Sequence, residues 1–231
     1  MPSTEKTLHF VSSALVTAIA VGLLGYSMSD DWTVIKMECA TNSNNGTATI
    51  TVGLFNGKMD RFFCPVFGNS DADYFQVIPE LMKTTDSVPA VLQGLVVCLL
   101  ALCLLFSVCS ILISLYNSVS NPYENYLGPS ALYGFSSLSA CLSLVAIIIF
   151  ALNTILTSMG ETLVQNFSQN IPVSLSNKKT EADIGLYLLI PYIVLSLLAI
   201  VCIYTYQRAA YKHKREQQRP TDDVPKEIMM Y

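Results

Sequence analysis

Between Val91 and Leu115 the chain runs for 25 residues without a charged side chain, and Gln93 is the most polar group in that stretch. A helix of this length rises about 37 Å, more than the ~30 Å hydrocarbon core of a bilayer, so the run predicts a membrane crossing. The neighbouring sequence repeats the signal. From Asp86 to Glu161 the one intervening charge is Glu124, which divides a single apolar block into two crossings set back to back. Two further apolar runs lie outside the pair. The reading is one domain, 1–231, with crossings at 8–28, 91–115, 131–152 and 184–207, outer loops at 29–90 and 153–183, an inner loop at 116–130 and a tail at 208–231. The expected fold is an all-α transmembrane four-helix bundle with a small extracellular β-sheet subdomain. Composition agrees, because 52% hydrophobic and 13% charged residues suit a bilayer better than a soluble domain of this size. A cleaved leader is the competing reading of 8–28, with Lys6, the apolar run and the small residues from Gly25 to Ser29 as its three regions. A run of about 21 residues with one small-residue face fits a retained crossing better.

Small residues recur within the runs at helical spacing. Ala14, Ala18, Gly22 and Gly25 fall at intervals of four, four and three, and Gly94, Cys98 and Ala101 at four and three. Ser136, Ser139, Ala140 and Ser143 occupy i, i+3, i+4 and i+7. Such stripes predict close helix packing, because small side chains let backbones approach where lipid gives no hydrophobic drive to associate. Cys98, Cys103 and Cys109 cannot share a metal ion: Cys103 is turned about 140° from Cys98, and Cys109 lies about 16 Å further along. They read as small apolar fillers, with Cys109 and Cys202 as weak acylation candidates near the inner ends. Pro191 predicts a kink in the fourth crossing.

From Ser29 to Ala90 the period changes. Thr33–Cys39 alternates, Thr47–Phe55 is rich in Thr, Ile and Val, and Asn56-Gly57 precedes Lys58–Cys64. Asn-Gly between two strand-like runs predicts a hairpin with a type I′ turn, whose two central residues need positive φ. The loop is therefore expected to fold as a β subdomain. Cys39 and Cys64 are its two cysteines. In an oxidising compartment they would close a loop of about 25 residues, worth on the order of 3 kcal/mol; otherwise they are free thiols. In a three-strand meander the outer strands lie two spacings of ~4.8 Å apart, too far for a disulfide, so either the strand order differs or the cysteines sit past the strand ends. Asn45-Gly46-Thr47 and Asn166-Phe167-Ser168 are N-glycosylation acceptor triplets, one in each outer loop. Asp86 or Ser87 is placed to cap the second crossing, with Pro89 in its first turn.

Charge sets the topology. Ser29–Ala90 carries 4 Lys/Arg against 8 Asp/Glu, whereas Arg208 to the end carries 6 against 4. Arg208, Lys212, Lys214, Arg215 and Arg219 follow the fourth run, which puts that end in the cytoplasm, and four crossings put the N-terminus there too. The same cluster either attracts anionic lipid at about 1 kcal/mol per residue or serves as a topology anchor only. Met229-Met230-Tyr231, apolar at the last position and two before it, matches a ligand that adds a strand to a PDZ-type domain; a disordered end is the alternative. No run contains the Asp, Glu, Lys or Arg that usually marks an ion path or proton relay. His9 and His213 are the two histidines, little from which to build a catalytic pair or a zinc site. The chain reads as non-enzymatic, with the lipid bilayer as its first partner and no nucleic acid, cofactor or metal expected.

Four crossings, a β-rich first outer loop larger than the second, and cytosolic ends resemble the claudin-like tetraspan superfamily. Within it, Met1-Pro2-Ser3, Trp32 just after the first run, Gly53-Leu54-Phe55 followed by Cys64, the inner turn from Tyr116-Asn117-Ser118 to Asn121-Pro122-Tyr123 with Gly128-Pro129, and the final Tyr231 look like a clarin, most of all the third paralogue group. Claudins carry Gly-Leu-Trp with both cysteines after it. Here Phe55 stands in place of the tryptophan and Cys39 precedes the motif, a departure from claudin-type paracellular sealing. The resemblance implies a plasma-membrane organiser of sensory cells, linked to hair-bundle or synaptic upkeep and to actin. It would use the outer loop for one partner and Tyr231 for a PDZ-domain or cytoskeletal protein. Two other roles fit: an auxiliary subunit that modulates a channel or receptor laterally through Ser136, Ser139, Ala140 and Ser143, and cell adhesion through the outer β loop.

Overall fold

The computed structural model of the chain describes residues 4–40, 45–62, 72–83, 87–119, 128–157, 159–167 and 174–217. In chain order the elements are α1 (Thr4–Ser29), β1 (Asp31–Ala40), β2 (Asn45–Gly53), β3 (Asn56–Phe62), β4 (Asp73–Gln76), α2 (Val77–Met82), α3 (Val88–Val119), α4 (Pro129–Leu156), α5 (Met159–Phe167), β5 (Ser174–Ala182), α6 (Ile184–Tyr187) and α7 (Leu189–Gln217).

The four apolar runs become four helical stretches, Lys6–Ser29, Val88–Val119, Pro129–Leu156 and Ile184–Ala209, each long and apolar enough to cross a membrane. Between 28% and 33% of the most apolar window of each is buried inside the protein, so the larger part faces lipid. With 32 residues, α3 is about 48 Å long and projects beyond the hydrocarbon. Ser87 stands at its cap position, where its carbonyl accepts from Val91 N, and Pro89 occupies the first turn, where a missing N–H costs nothing; Asp86 lies outside the described residues. Pro191 cannot donate to Tyr187, and the fourth crossing is interrupted at Leu188, between α6 and α7.

The helices close a ring in which α1 and α4 each touch both α3 and α7. The inner stripe of α1 is Phe10, Ser13, Ala14, Thr17, Ala20, Leu24 and Ser27, which share one face of the helix. Only Ala14 of the expected α1 stripe belongs to it. Ala18 and Gly22 are exposed, and a methyl on Gly22 or Gly25 would meet nothing within 4 Å. The same correction applies to α3: Gly94 has open space around it, and Cys98 and Ala101 are exposed, while Gln93, Val96, Leu100, Cys103, Ser107 and Ser110 face inward. Ser136, Ser139, Ala140 and Ser143 of α4 are all buried, and Ser110 Oγ lies 3.3 Å from Ser136 Oγ across the α3–α4 interface. Lateral docking through that stripe is therefore ruled out, because α3 already covers it.

A five-stranded antiparallel sheet stands at one end of the ring, in the order β4-β3-β2-β1-β5. Alternation gives it an apolar face of Ile35, Met37 and Cys39, then Ala48, Ile50 and Val52, then Met59. That face packs on Val77 and Leu81 of α2, Ala90 of α3, and Met159, Leu163 and Val164 of α5. The second loop is thus no separate excursion, for its polar strand β5 completes the sheet beside β1. The hairpin forms, but its turn is not Asn56-Gly57. Val52 pairs with Gly57, so Gly53-Leu54-Phe55-Asn56 makes the connection, and the positive φ among described non-glycine residues belongs to Asn177. Gly57 serves another purpose. It pairs with Phe75, and a methyl there would lie 2.5 Å from Cζ of that ring.

Candidate functional site

The sheet meets the helices at a joint built around Trp32, which is fully buried one residue into β1. Its indole Nε1 donates to Ser27 O at 2.7 Å, and Ser27 Oγ donates to Gly185 O at 2.6 Å. Asp183 N donates to Trp32 O at 2.9 Å, and the ring stands edge-on to Phe150 at 4.8 Å. One residue thereby ties α1, β1, α4 and α6 together. Gly185 is required by close approach: a methyl there would lie 2.5 Å from Asp31 O and 2.6 Å from Trp32 Cδ1.

Gln93 makes a second tie. Fully buried, it donates from Nε2 to Gly53 O at 3.3 Å and to Leu54 O at 3.1 Å, so α3 holds the membrane-side turn of the β2–β3 hairpin. Asn153 makes a third, donating to Pro89 O at 3.2 Å and contacting Met159 Sδ at 3.8 Å. Each amide satisfies backbone or sulfur acceptors at a depth where water does not reach.

Between the end of α1 and that turn lies a cavity of about 190 Å³, walled by Met28, Asp30, Asp31, Leu54, Phe55 and Asn56 among others. Burial, with Asp30 and Asp183 beside it and Lys58 opposing them, holds the Asp31 carboxyl above its ordinary value. Deeper in the ring the polar contacts are hydroxyls: Ser107 Oγ to Tyr192 OH at 3.0 Å, Ser114 Oγ to Phe10 O at 2.7 Å, and Ser13 Oγ to Ala199 O at 3.4 Å. These bonds join helix to helix, each worth about 0.6 kcal/mol on average.

Cys39 is buried near the end of strand β1, one residue before Ala40. The sheet keeps the meander order, with β2 between β1 and β3, and Cys64 lies past the end of β3, outside the described residues. Among the described residues the free thiols are Cys98, Cys103, Cys109, Cys141 and Cys202, and Cys39 is not one of them. Asn45 opens β2 opposite Ala40, at the end of the sheet away from the membrane. Asn166 sits on α5, where its Nδ2 donates to Glu80 O at 3.3 Å. Arg208 is exposed on α7, and Lys212, Lys214 and Arg215 fall on the last turns of that helix; Arg219, Met229 and Tyr231 lie outside the described residues. Among the described residues no group of three His, Cys, Asp or Glu side chains converges as metal ligands.

A family model described as Clarin-2-like matches residues 5–182. The chain belongs to the clarin family. Its similarity to clarins runs from end to end: mouse Clarin-3 is 31% identical over 234 residues, human Clarin-3 28% over 236 and rat Clarin-3 31% over 237, each aligned across the whole of both chains. This clarin is a multi-pass membrane protein. Gln93 is visible in its sequence as the polar exception in an apolar run, a signal that marks a tie rather than a stray group. Asn153 gives a similar signal at the end of the third run. Gly185 gives none, because its need arises from a strand more than 150 residues earlier in the chain.

Proposed function

We propose that this clarin is a non-enzymatic organiser of the plasma membrane, claudin-like in build, with the sheet outside the cell and both chain ends in the cytosol. It couples partners met by the sheet, or laterally in the bilayer, to PDZ-domain or cytoskeletal proteins bound by the tail. The observation that carries this reading is α7, which starts beside the Trp32 joint and continues as one helix of 29 residues to Gln217. About 43 Å long, it makes the sheet end and the base of the tail two ends of one rod. Tyr133 OH donates to Gln207 Oε1 at 3.0 Å, and Phe10 packs on Tyr206, so the rod is held where it leaves the bundle. The basic residues from Arg208 to Arg219 support the orientation by the positive-inside rule.

In that orientation Cys39 meets an oxidising compartment and pairs with Cys64. Asn45 is the better-placed glycan acceptor, and Asn166 the poorer, because its Nδ2 must first release Glu80 O. Proximity labelling in a polarised epithelial or sensory cell line tests the tail, comparing the intact chain with one lacking Met229–Tyr231. Loss of a set of PDZ-domain proteins on truncation is the expected result; an unchanged set would refute the tail's role. The auxiliary-subunit reading is favoured by one observation, the small residues Ala18 and Gly22 of α1 and Cys98 and Ala101 of α3, which are exposed among the described residues. Enrichment of one channel by both chains would select it.

A further inference from the structure

We propose that the cavity between the end of α1 and the β2–β3 turn receives the quaternary ammonium of a choline headgroup from the leaflet on the sheet side. The position comes first. Lipid-facing α1 ends at Ser29, and the cavity wall begins at Met28, so the space opens at headgroup level. At about 190 Å³ it is far smaller than a drug-sized site and large enough for a trimethylammonium group.

Charge comes second. The charged groups of the wall are Asp30 and Asp31, and Asp183 acts on Asp31 from nearby. The cation that acts on Asp31 is Lys58, which is itself engaged with Asp60 at 2.8 Å. The Asp31 carboxylate has no hydrogen-bond or ion-pair partner among the described residues, whereas Asp30 Oδ1 accepts from Asp31 N and Asp183 Oδ1 from Ile184 N. Directly behind the wall, fully buried Gln93 holds the carbonyls of Gly53 and Leu54, and its Oε1 has no partner among the described residues. The surroundings therefore offer acceptors in excess of donors.

The wall has apolar members beside its polar ones. Met28, Leu54 and Phe55 contribute to it, and Phe55 is 44% exposed at the tip of the turn. A quaternary ammonium donates no N–H bond and is held by carboxylates, aromatic rings and apolar contacts, and Asp30, Asp31, Phe55, Met28 and Leu54 are among the residues that line the cavity. A bare divalent cation fits poorly, because it takes six to eight oxygens and no three carboxylates converge among the described residues. Free choline has the same chemistry, but the mouth of the cavity lies where lipid headgroups are concentrated.

The test is native mass spectrometry of the full-length protein released from bilayers containing equal phosphatidylcholine, phosphatidylethanolamine and phosphatidylglycerol. Phosphatidylcholine should be retained over each of the others by about tenfold. Asp31→Asn and Phe55→Leu should each bring retention near parity while Trp32 emission stays that of the parent, which separates a lost site from a lost fold. Equal retention of the three lipids by the parent, or a preference that survives both substitutions, overturns the proposal. Ethanolamine lipid retained as well as choline lipid overturns the quaternary chemistry. Free choline bound by a protein that retains no lipid overturns the lipid source.

Discussion

Replacing Gly185 with alanine loads the joint between sheet and helices at its tightest point. The added methyl would lie 2.5 Å from Asp31 O, 2.6 Å from Trp32 Cδ1 and 3.0 Å from the Asp31 carbonyl carbon. Two of these atoms are strand backbone and cannot swing aside, and ordinary contact begins at 3.4 Å, so α6 and β1 must part by about 1 Å. That movement stretches three hydrogen bonds at once: Ser27 Oγ to Gly185 O, Trp32 Nε1 to Ser27 O, and Asp183 N to Trp32 O. Overpacking costs about 1–3 kcal/mol and each weakened hydrogen bond about 1, partly the same strain counted twice, so a loss of roughly 2–4 kcal/mol is expected. Trp32 is the single tryptophan of the chain, so its emission reports this joint alone. Detergent-purified Gly185→Ala should melt several degrees lower, with Trp32 emission shifted to the red. Gly22→Ala is the control, since its methyl meets nothing within 4 Å and gains up to about 1 kcal/mol of helix propensity. Equal melting of the two variants, with unshifted emission in both, would refute the reasoning.

Gln93→Leu leaves the carbonyls of Gly53 and Leu54 without their donor. It should cost about 1–3 kcal/mol and speed amide exchange at the β2–β3 turn, and unchanged exchange there would contradict the tie. Tyr192→Phe removes the bond to Ser107, and its melting temperature should barely move, because such a bond is worth about 0.6 kcal/mol in a membrane bundle; a large drop would mean that the hydroxyls act as a unit. Asp31→Asn has a pH signature. The folded chain holds the Asp31 proton more tightly than the unfolded chain, so this group's contribution to stability falls as pH rises from the ordinary 3.8 through the raised folded value. The variant should melt higher than the parent at neutral pH and lose the advantage as pH falls through the carboxylate range, and a lower melting point at neutral pH would count against the burial of that charge.

The four helices were legible because an uncharged run longer than a bilayer has few alternatives, and the α4 stripe because serine and alanine at i, i+3, i+4 and i+7 mark a buried seam. The same logic misled for Ala18, Gly22 and Gly94. A small residue tolerates close approach without demanding it, so spacing alone does not say whether a helix or lipid lies opposite. The Asn56-Gly57 pair places the hairpin turn two residues beyond its centre at Leu54-Phe55, since β4 lays the Phe75 ring over Gly57 and that contact lies outside any local signal. Strand β5 was not read at all. Ser174–Ala182 is an edge strand with mostly exposed polar side chains, so it shows no alternation. Met159, Leu163 and Val164 do carry the helical period of α5, but three apolar positions in a nine-residue helix are too short a signal to mark it within a polar loop. The choline-sized cavity had no trace in the sequence, because its walls come from the end of α1 and a turn that folding brings beside it.

Pairing β5 with β1 has a consequence in time. During synthesis β1 is made about 140 residues before its neighbour is complete, an interval of roughly 7–28 s at ordinary translation rates. For that interval one edge of the growing sheet has no mate, and an unpaired edge is a template for the wrong strand. Once in place, β5 guards the finished edge, with a bulge at Asn177, φ 52°, held by its Nδ2 donating to Glu38 Oε2 at 2.7 Å. The sheet thus waits on a strand made after the third crossing, and any substitution that delays that crossing or the loop after it lengthens the exposure of a strand made at the start.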